Sequence, residues 1–458
     1  MRITNLNPAP DIGASAWLVE IEGHRVLLDA GFHPKLDGQA ALPLYGRIGP
    51  EGVDAIAISH CHHDHIGSLP VAMRHFPKAS VFMSRLSHVL AERVLHNSVN
   101  VMLRQRDELG LVEYPLFTHH ALDDLASRFQ GVRTHREIEW LPNHKLRRGV
   151  SSPVIEFLDA GHTLGSAGLS VRAASETLFF TGDVSFRDQT LLKGARFDEV
   201  SGGVLLMETT RGGWTVPQDF TREGEIERLL TAIQTTLARK GSVLIPAFAL
   251  GRTQEILALL ALWMRSGALR RQPVYLGGLG KVFSEIYDLQ AHETHRDHAD
   301  LRLQEDLRLI VLSKPEIEEM SLSAGRLFVV TAGMMTDGTA AHDLAVRMSG
   351  DERHGIFFVG YADPHTPGGR LKAAKRGETL PFSSSAGDLI RRCEVLEFDL
   401  TAHANRNELL EFVERVGPRA VVLGHGEPVL FQRCDVDISL RFPGIQLLTP
   451  GPGEVAEF

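Results

Sequence analysis

Cysteine, tryptophan and tyrosine are scarce in this chain, at three, four and five residues out of 458. Three cysteines, Cys61, Cys393 and Cys434, cannot build a disulfide framework, which excludes the small stapled scaffolds of secreted proteins. No run of 18 apolar residues occurs, so no membrane-spanning helix is predicted. No basic segment followed by an apolar one opens the chain, and a cytoplasmic protein is expected. Positive charge is not in surplus: 48 Lys and Arg stand against 57 Asp and Glu, a formal charge of −9. That excludes a general nucleic-acid coat, though not a nucleic-acid substrate held by a local groove or by metal ions. Low-complexity tracts are absent and mean hydropathy is −0.06, which excludes long disorder. At this length the chain is expected to fold as two or three domains around a large core.

Against that ordinary background one stretch stands out. Ser59-His60-Cys61-His62-His63-Asp64-His65-Ile66-Gly67 packs four histidines and an aspartate into six residues. It follows the apolar strand pattern Ala55-Ile56-Ala57-Ile58 and ends at a glycine. Imidazole and carboxylate at this density suit zinc better than magnesium or calcium. A core would not bury so many imidazoles and a carboxylate without partners. His63 is expected to point away from its neighbours, and Cys61 to pack in the core rather than ligate.

Three further segments place a candidate ligand where a strand pattern stops: Asp159-Ala160-Gly161-His162, Thr181-Gly182-Asp183 and Val421-Val422-Leu423-Gly424-His425. His60 and His62 can face one ion with His162. Asp64 and His65 can face a second with His425, and Asp183 can bridge the two. Paired ions polarise a phosphoryl or carbonyl group and lower the pKa of a shared water. Short strand patterns occupy the first 60 residues and the region 154–180, with helical patterns over 83–132. From 208 to 370 helix and strand alternate, which predicts a mostly parallel sheet and a second domain.

On these residues the chain resembles the metallo-β-lactamase superfamily. His60, His62, Asp64 and His65 match its His-x-His-x-Asp-His signature, and the segments at His162 and Asp183 resemble its third and fourth metal motifs. Leu27-Leu28-Asp29-Ala30-Gly31 is similar to an early strand-turn signature in which the aspartate is chiefly structural. Glu208, His403 and His425 fit motifs A, B and C of the β-CASP branch, which cleaves nucleic acids. Ile245-Pro246-Ala247-Phe248-Ala249-Leu250-Gly251-Arg252-Thr253-Gln254-Glu255 is close to that branch's internal landmark.

The resemblance implies an α/β fold: a metallo-β-lactamase αββα sandwich with an inserted β-CASP α/β domain. Residues 1–207 and 371–458 would form the sandwich and 208–370 the insertion. It further implies two Zn2+ per chain and hydrolysis of a phosphodiester in single-stranded RNA, since a histidine at motif C accompanies RNA-processing members. It also implies dimerisation, which is common among relatives. DNA cleavage and hydrolysis of a small molecule are the alternatives, and a scaffold that has lost its ligands is a third. Asp64, His403 and Glu208 are the candidate catalytic groups, with Asp64 orienting the attacking group, His403 protonating the leaving oxygen or touching the phosphate, and Glu208 orienting His403. Arg252, Arg370 and Ser166 are assigned to substrate binding, although Arg252 could equally pair with Glu255 or another carboxylate. Arg211, Asn405 and the Gly277-Gly278-Leu279-Gly280 turn depart from the branch's usual residues. Asn405 in particular removes a negative charge expected near His403.

Overall fold

A computed structural model describes residues 1–140, 152–217, 219–322 and 325–458. The chain divides into two compact units. One comprises Met1–Asp188, Gly194–Val216 and Ala402–Phe458; the other comprises Gln189–Lys193 and Pro217–Thr401.

The first unit holds two seven-stranded sheets. One runs, in spatial order, Val455–Glu457, Arg2–Asn5, Trp17–Ile21, His24–Leu28, Ala55–Ile58, Ser80–Ser84 and Phe129–Val132. The other runs Gln446–Leu448, Ala420–Gly424, Val204–Glu208, Glu176–Phe180, Ala167–Ala173, Val154–Asp159 and Glu137–Glu139. The period of two along each strand explains the layers. Trp17, Val19, Val26 and Leu28 from the first sheet meet Leu169, Val171, Val204 and Leu206 from the second in one core. The alternate residues Leu205, Met207, Val421 and Leu423 face outward onto Leu409, Phe412 and Val413 of the helix Arg406–Val416. On the first sheet the long helix Arg85–Leu109 lies along Ser80–Ser84 and Phe129–Val132. Helices therefore cover a two-sheet sandwich, as the αββα expectation requires.

The second unit is built on six parallel strands in the order Leu309–Val311, Val274–Leu276, Leu327–Val330, Val243–Pro246, Gly355–Phe358 and Glu394–Glu397. The helix Arg252–Ser266, buried along nearly its whole length, follows the Val243–Pro246 strand. Its extent differs from the expected 208–370. Val204–Glu208 is an interior strand of the sandwich, paired with Glu176–Phe180 and Ala420–Gly424, so Glu208 belongs to the first unit. At the other end the insertion runs to Thr401, because Glu394–Glu397 adds to the parallel sheet beside Gly355–Phe358 and Leu380 and Phe382 of a hairpin enter its core. Among the described residues no helix is long and apolar enough to cross a membrane.

Candidate metal centre

The histidine cluster begins where the Ala55–Ile58 strand ends, and His63–Ile66 forms a single helical turn after His62. Gly31 makes room for this turn: a Cβ there would sit 1.8 Å from the Asp64 carbonyl oxygen. Asp29 organises the base of the site. Its carboxylate accepts from Ser15 Oγ at 3.1 Å, from Ser59 N at 2.7 Å and from Ser59 Oγ at 2.9 Å, and it lies 2.7 Å from His65 Nδ1. That contact turns His65 Nε2 toward the centre. His162 is aimed in the same way by its Nδ1, 2.8 Å from the Ala402 carbonyl, and His60 by its Nδ1, 3.1 Å from Ser59 Oγ. Such partners fix tautomer and ring orientation in metal sites.

Two sets of donors result. His60, His62, His162 and Asp183 form one, and Asp64, His65 and His425 form the other, while Asp183, Glu208 and His425 make an overlapping grouping that shares a residue with each. In the first, His162 Nε2 is 3.1 Å from His62 Nδ1, while Asp183 Oδ2 lies 3.6 Å from His162 Nε2 and 3.7 Å from His60 Nε2. In the second, His65 Nε2 and His425 Nε2 are 3.0 Å apart, and Asp64 Oδ2 is 3.3 Å from His425 Nε2. Asp183 Oδ1 reaches toward the second set, 3.4 Å from His65 Nε2 and 3.2 Å from His425 Nδ1. One carboxylate thus offers an oxygen to each set.

The donors fit zinc, as one or two ions. Among the described residues His60 Nε2 is buried with no hydrogen-bond partner, a costly state for a polar atom that metal ligation relieves. Burial holds the His60 and His162 imidazoles well below their ordinary pKa, so both are neutral with lone pairs available. The carboxylates call for positive charge. Burial alone would raise Asp183 and lower His65, yet each is driven the other way by its neighbours, Asp183 by His425 and His65, and His65 by Asp183 and Asp29. A divalent cation answers the same demand.

Beside the first donor set His403 presents Nδ1 to both oxygens of Glu208, at 3.2 and 3.1 Å, and its ring centroid is 4.5 Å from that of His162. The Glu208 side chain is 1% exposed and His403 21% exposed, so the carboxylate sits behind the imidazole. Burial would lower the His403 pKa, but the charge and hydrogen bond of Glu208 outweigh it and hold the group above its ordinary value. Asn405 does not face this pair. Its side chain caps the helix Arg406–Val416, accepting from Asn407 N at 2.9 Å and Glu408 N at 3.2 Å. The negative partner of His403 is Glu208, and the exchange of aspartate for asparagine at 405 keeps a good cap.

The expected substrate-binding residues are placed differently. Ser166 is buried and its Oγ accepts from His162 N at 3.0 Å and Thr163 N at 3.1 Å, so it shapes the His162 loop. In the second unit Arg252 is buried, donates to the Leu400 carbonyl and to Gln189 Oε1, and has its pKa lowered by burial to about 10. Arg370 donates to the carbonyls of Phe382 and His365, and Lys372 pairs with Glu397 at 2.6 Å. These cations hold the fold together. Cys61, as expected, packs in the core and donates to the Ser87 carbonyl at 3.2 Å, and His63 is exposed, its ring 5.0 Å from that of Phe32. Thr210 is a partner the sequence reading missed; its Oγ1 lies 3.1 Å from His425 Nδ1. Its place directly after motif A was the available signal.

Residues 9–237 match the metallo-beta-lactamase superfamily, 253–371 the beta-Casp domain, and 388–439 the Zn-dependent metallo-hydrolase RNA specificity domain. The chain belongs to the metallo-beta-lactamase superfamily and carries the beta-Casp domain and the RNA specificity domain of its zinc-dependent metallo-hydrolases. It is 28% identical to endoribonuclease YSH1 of Eremothecium gossypii over 438 residues, which cover 93% of this chain and 55% of that protein. It is 27% identical to cleavage and polyadenylation specificity factor subunit 3 of Dictyostelium discoideum, covering 98% and 56%. The chain spans about half the length of the curated relatives it matches. A protein of unknown function from Enterococcus faecalis shares the fold, with a TM-score of 0.56, 14% identity and 99% of both chains covered. These relatives overturn the expectation of a cytoplasmic protein: cleavage and polyadenylation of mRNA are nuclear steps. Absence of a signal segment therefore does not specify the compartment.

Proposed function

We propose that this chain is a zinc-dependent phosphodiesterase that cleaves single-stranded RNA. The observation that carries the reading is the double donor set bridged by Asp183, with the His403–Glu208 pair at its edge. His60, His62, His162 and Asp183 would hold one ion, and Asp64, His65 and His425 the other. When bound, the ions supply Lewis acidity toward a phosphoryl oxygen and lower the pKa of a water. Asp64, whose side chain is 24% exposed, orients the attacking water by accepting its hydrogen bond. His403, with Nδ1 fixed by Glu208, delivers a proton to the leaving oxygen through its other ring nitrogen. Glu208 is a positioning residue: it sets the tautomer and angle of that imidazole and also accepts from Val184 N at 2.6 Å, which anchors the carboxylate itself. RNA as substrate is supported by the endoribonuclease names of relatives at 27 to 28% identity and by the match to an RNA specificity domain.

The test is cleavage of end-labelled single-stranded RNA and of matched DNA by the zinc-loaded protein and by His403→Ala. Metal-dependent RNA products that disappear in the variant are expected, and their ladder separates internal from terminal cutting. Cutting of DNA alone, or of neither polymer by a protein carrying two zinc ions, overturns the proposal.

A further inference from the structure

In the parallel sheet of the second unit, two neighbouring strands send the chain in opposite directions. From Val243–Pro246 the chain crosses to Val274–Leu276 on one side, and from Gly355–Phe358 it passes to Glu394–Glu397 on the other, while Val243–Pro246 and Gly355–Phe358 lie side by side. In open α/β sheets such a switch point opens a crevice at the carboxyl ends of the strands, where ligands settle.

Two exposed aromatic rings stand there. Phe248 follows the first strand and is 39% exposed; Tyr361 follows the second and is 49% exposed. They border one shallow depression together with Pro246, Arg252, Gly333 and Gly360. The backbone beneath Phe248 is pinned: Ala247 N donates to the Val330 carbonyl at 3.0 Å, and the Phe248 carbonyl accepts from Thr253 N at 3.1 Å and Thr253 Oγ1 at 2.7 Å. A Cβ at Gly333 would lie 3.5 Å from the Phe248 ring, so the glycine leaves that ring uncovered. The core of this unit closes on Phe328, Phe358 and Leu371 without using either exposed ring. The turn after Val243–Pro246 reads Ala247-Phe248-Ala249-Leu250-Gly251 and lacks the glycine fingerprint that brings a dinucleotide's pyrophosphate to such a switch point. What it offers instead is flat π surface.

We infer that Phe248 and Tyr361 form a stacking platform for unpaired nucleobases of a single-stranded nucleic acid, an inference that rests on the reading of the chain as a nuclease for such strands. Stacking accepts any base, because every base has a π face. The platform therefore contributes affinity for an unpaired strand and little sequence preference, and it discriminates against a duplex, whose bases are already stacked.

The test uses the full zinc-loaded chain in a His403→Ala background and a single-stranded RNA carrying 2-aminopurine, whose fluorescence falls on stacking. Quenching on binding is expected. Phe248→Ala and Tyr361→Ala should each weaken binding roughly 5- to 100-fold and relieve the quenching, with melting temperature and zinc content matching the parent. Phe248→Trp should retain both signals, and Gly333→Val should imitate Phe248→Ala by covering a ring that is still present. Absence of quenching in the parent, or equal affinity and quenching in the alanine variants, overturns the platform. The nuclease reading is judged separately, on the protein with His403 intact. RNA cut with unchanged KM by the alanine variants sinks the platform and leaves the ribonuclease standing. Quenching lost in those variants while His403-intact protein leaves RNA whole upholds the platform and sinks the ribonuclease.

Discussion

His65 Nδ1 and an Asp29 carboxylate oxygen are 2.7 Å apart, both side chains almost wholly withdrawn from solvent. Asp29 adopts a left-handed backbone conformation, φ 61°, to put its carboxylate there, an uncommon state that aspartate tolerates better than most residues. Asp29→Asn keeps the shape and removes the charge. Zinc affinity should fall about 10- to 100-fold, read by competition with a chromogenic chelator, while an unchanged affinity would show that Asp29 only ties the loop.

Glu208 and His403 separate positioning from chemistry. His403→Ala should lower kcat roughly 10²- to 10⁴-fold with little change in KM, the range for loss of a positioned acid. Glu208→Gln should lower kcat by less, because the amide still holds the ring, and Glu208→Ala by more than Glu208→Gln. Equal effects of the two Glu208 variants would contradict a role exerted through His403.

The second unit should weaken in acid through Glu255. Its carboxylate is buried, pairs with Arg222 and accepts from Thr190 N and Oγ1. Burial would raise its pKa, but the charges of Arg222 and Arg252 prevail and hold it below the ordinary value. A carboxylate depressed in the folded state contributes stability above its unfolded pKa, near 4.3, and that stability is lost as pH falls through the folded value. Glu255→Gln should therefore cost about 3–5 kcal/mol at pH 7, where it leaves the partly buried Arg222 guanidinium without its carboxylate and removes a negative charge near Arg252. The difference from wild type should shrink steadily as pH drops below that of a free glutamate, measured by denaturant unfolding across the series.

Cys61, Cys393 and Cys434 are buried, and burial pushes each thiol up to about 12. The native protein should give no fast reaction with a disulfide reagent at pH 8, and three equivalents should react once denatured. A fast native equivalent would mean that one of these sites opens readily.

The candidate metal centre was legible because its donors sit at strand ends in runs that a period of two reveals, and because His60, His62, Asp64 and His65 fall within six residues. The substrate residues were not legible for a different physical reason. The partners of Arg252 and Arg370 are carbonyl and amide oxygens at Leu400, Gln189, Phe382 and His365, and nothing in a sequence says which distant backbone oxygen a guanidinium will find. Ser166 looks like a free hydroxyl until the His162 loop folds onto it. The late boundary at Thr401 was hidden because Glu394-Val395-Leu396-Glu397 has too few apolar residues to announce a strand, although backbone pairing with Gly355–Phe358 makes it one.

The first unit is interrupted by the second and completed only by residues after Thr401. His403 and His425, and the strand that carries His425, are thus the last parts of the centre to leave the ribosome. A growing chain exposes the 60–65 histidines while the groups that would finish the donor cluster do not yet exist. The centre therefore cannot assemble until synthesis has passed residue 425, however early its first histidines appear.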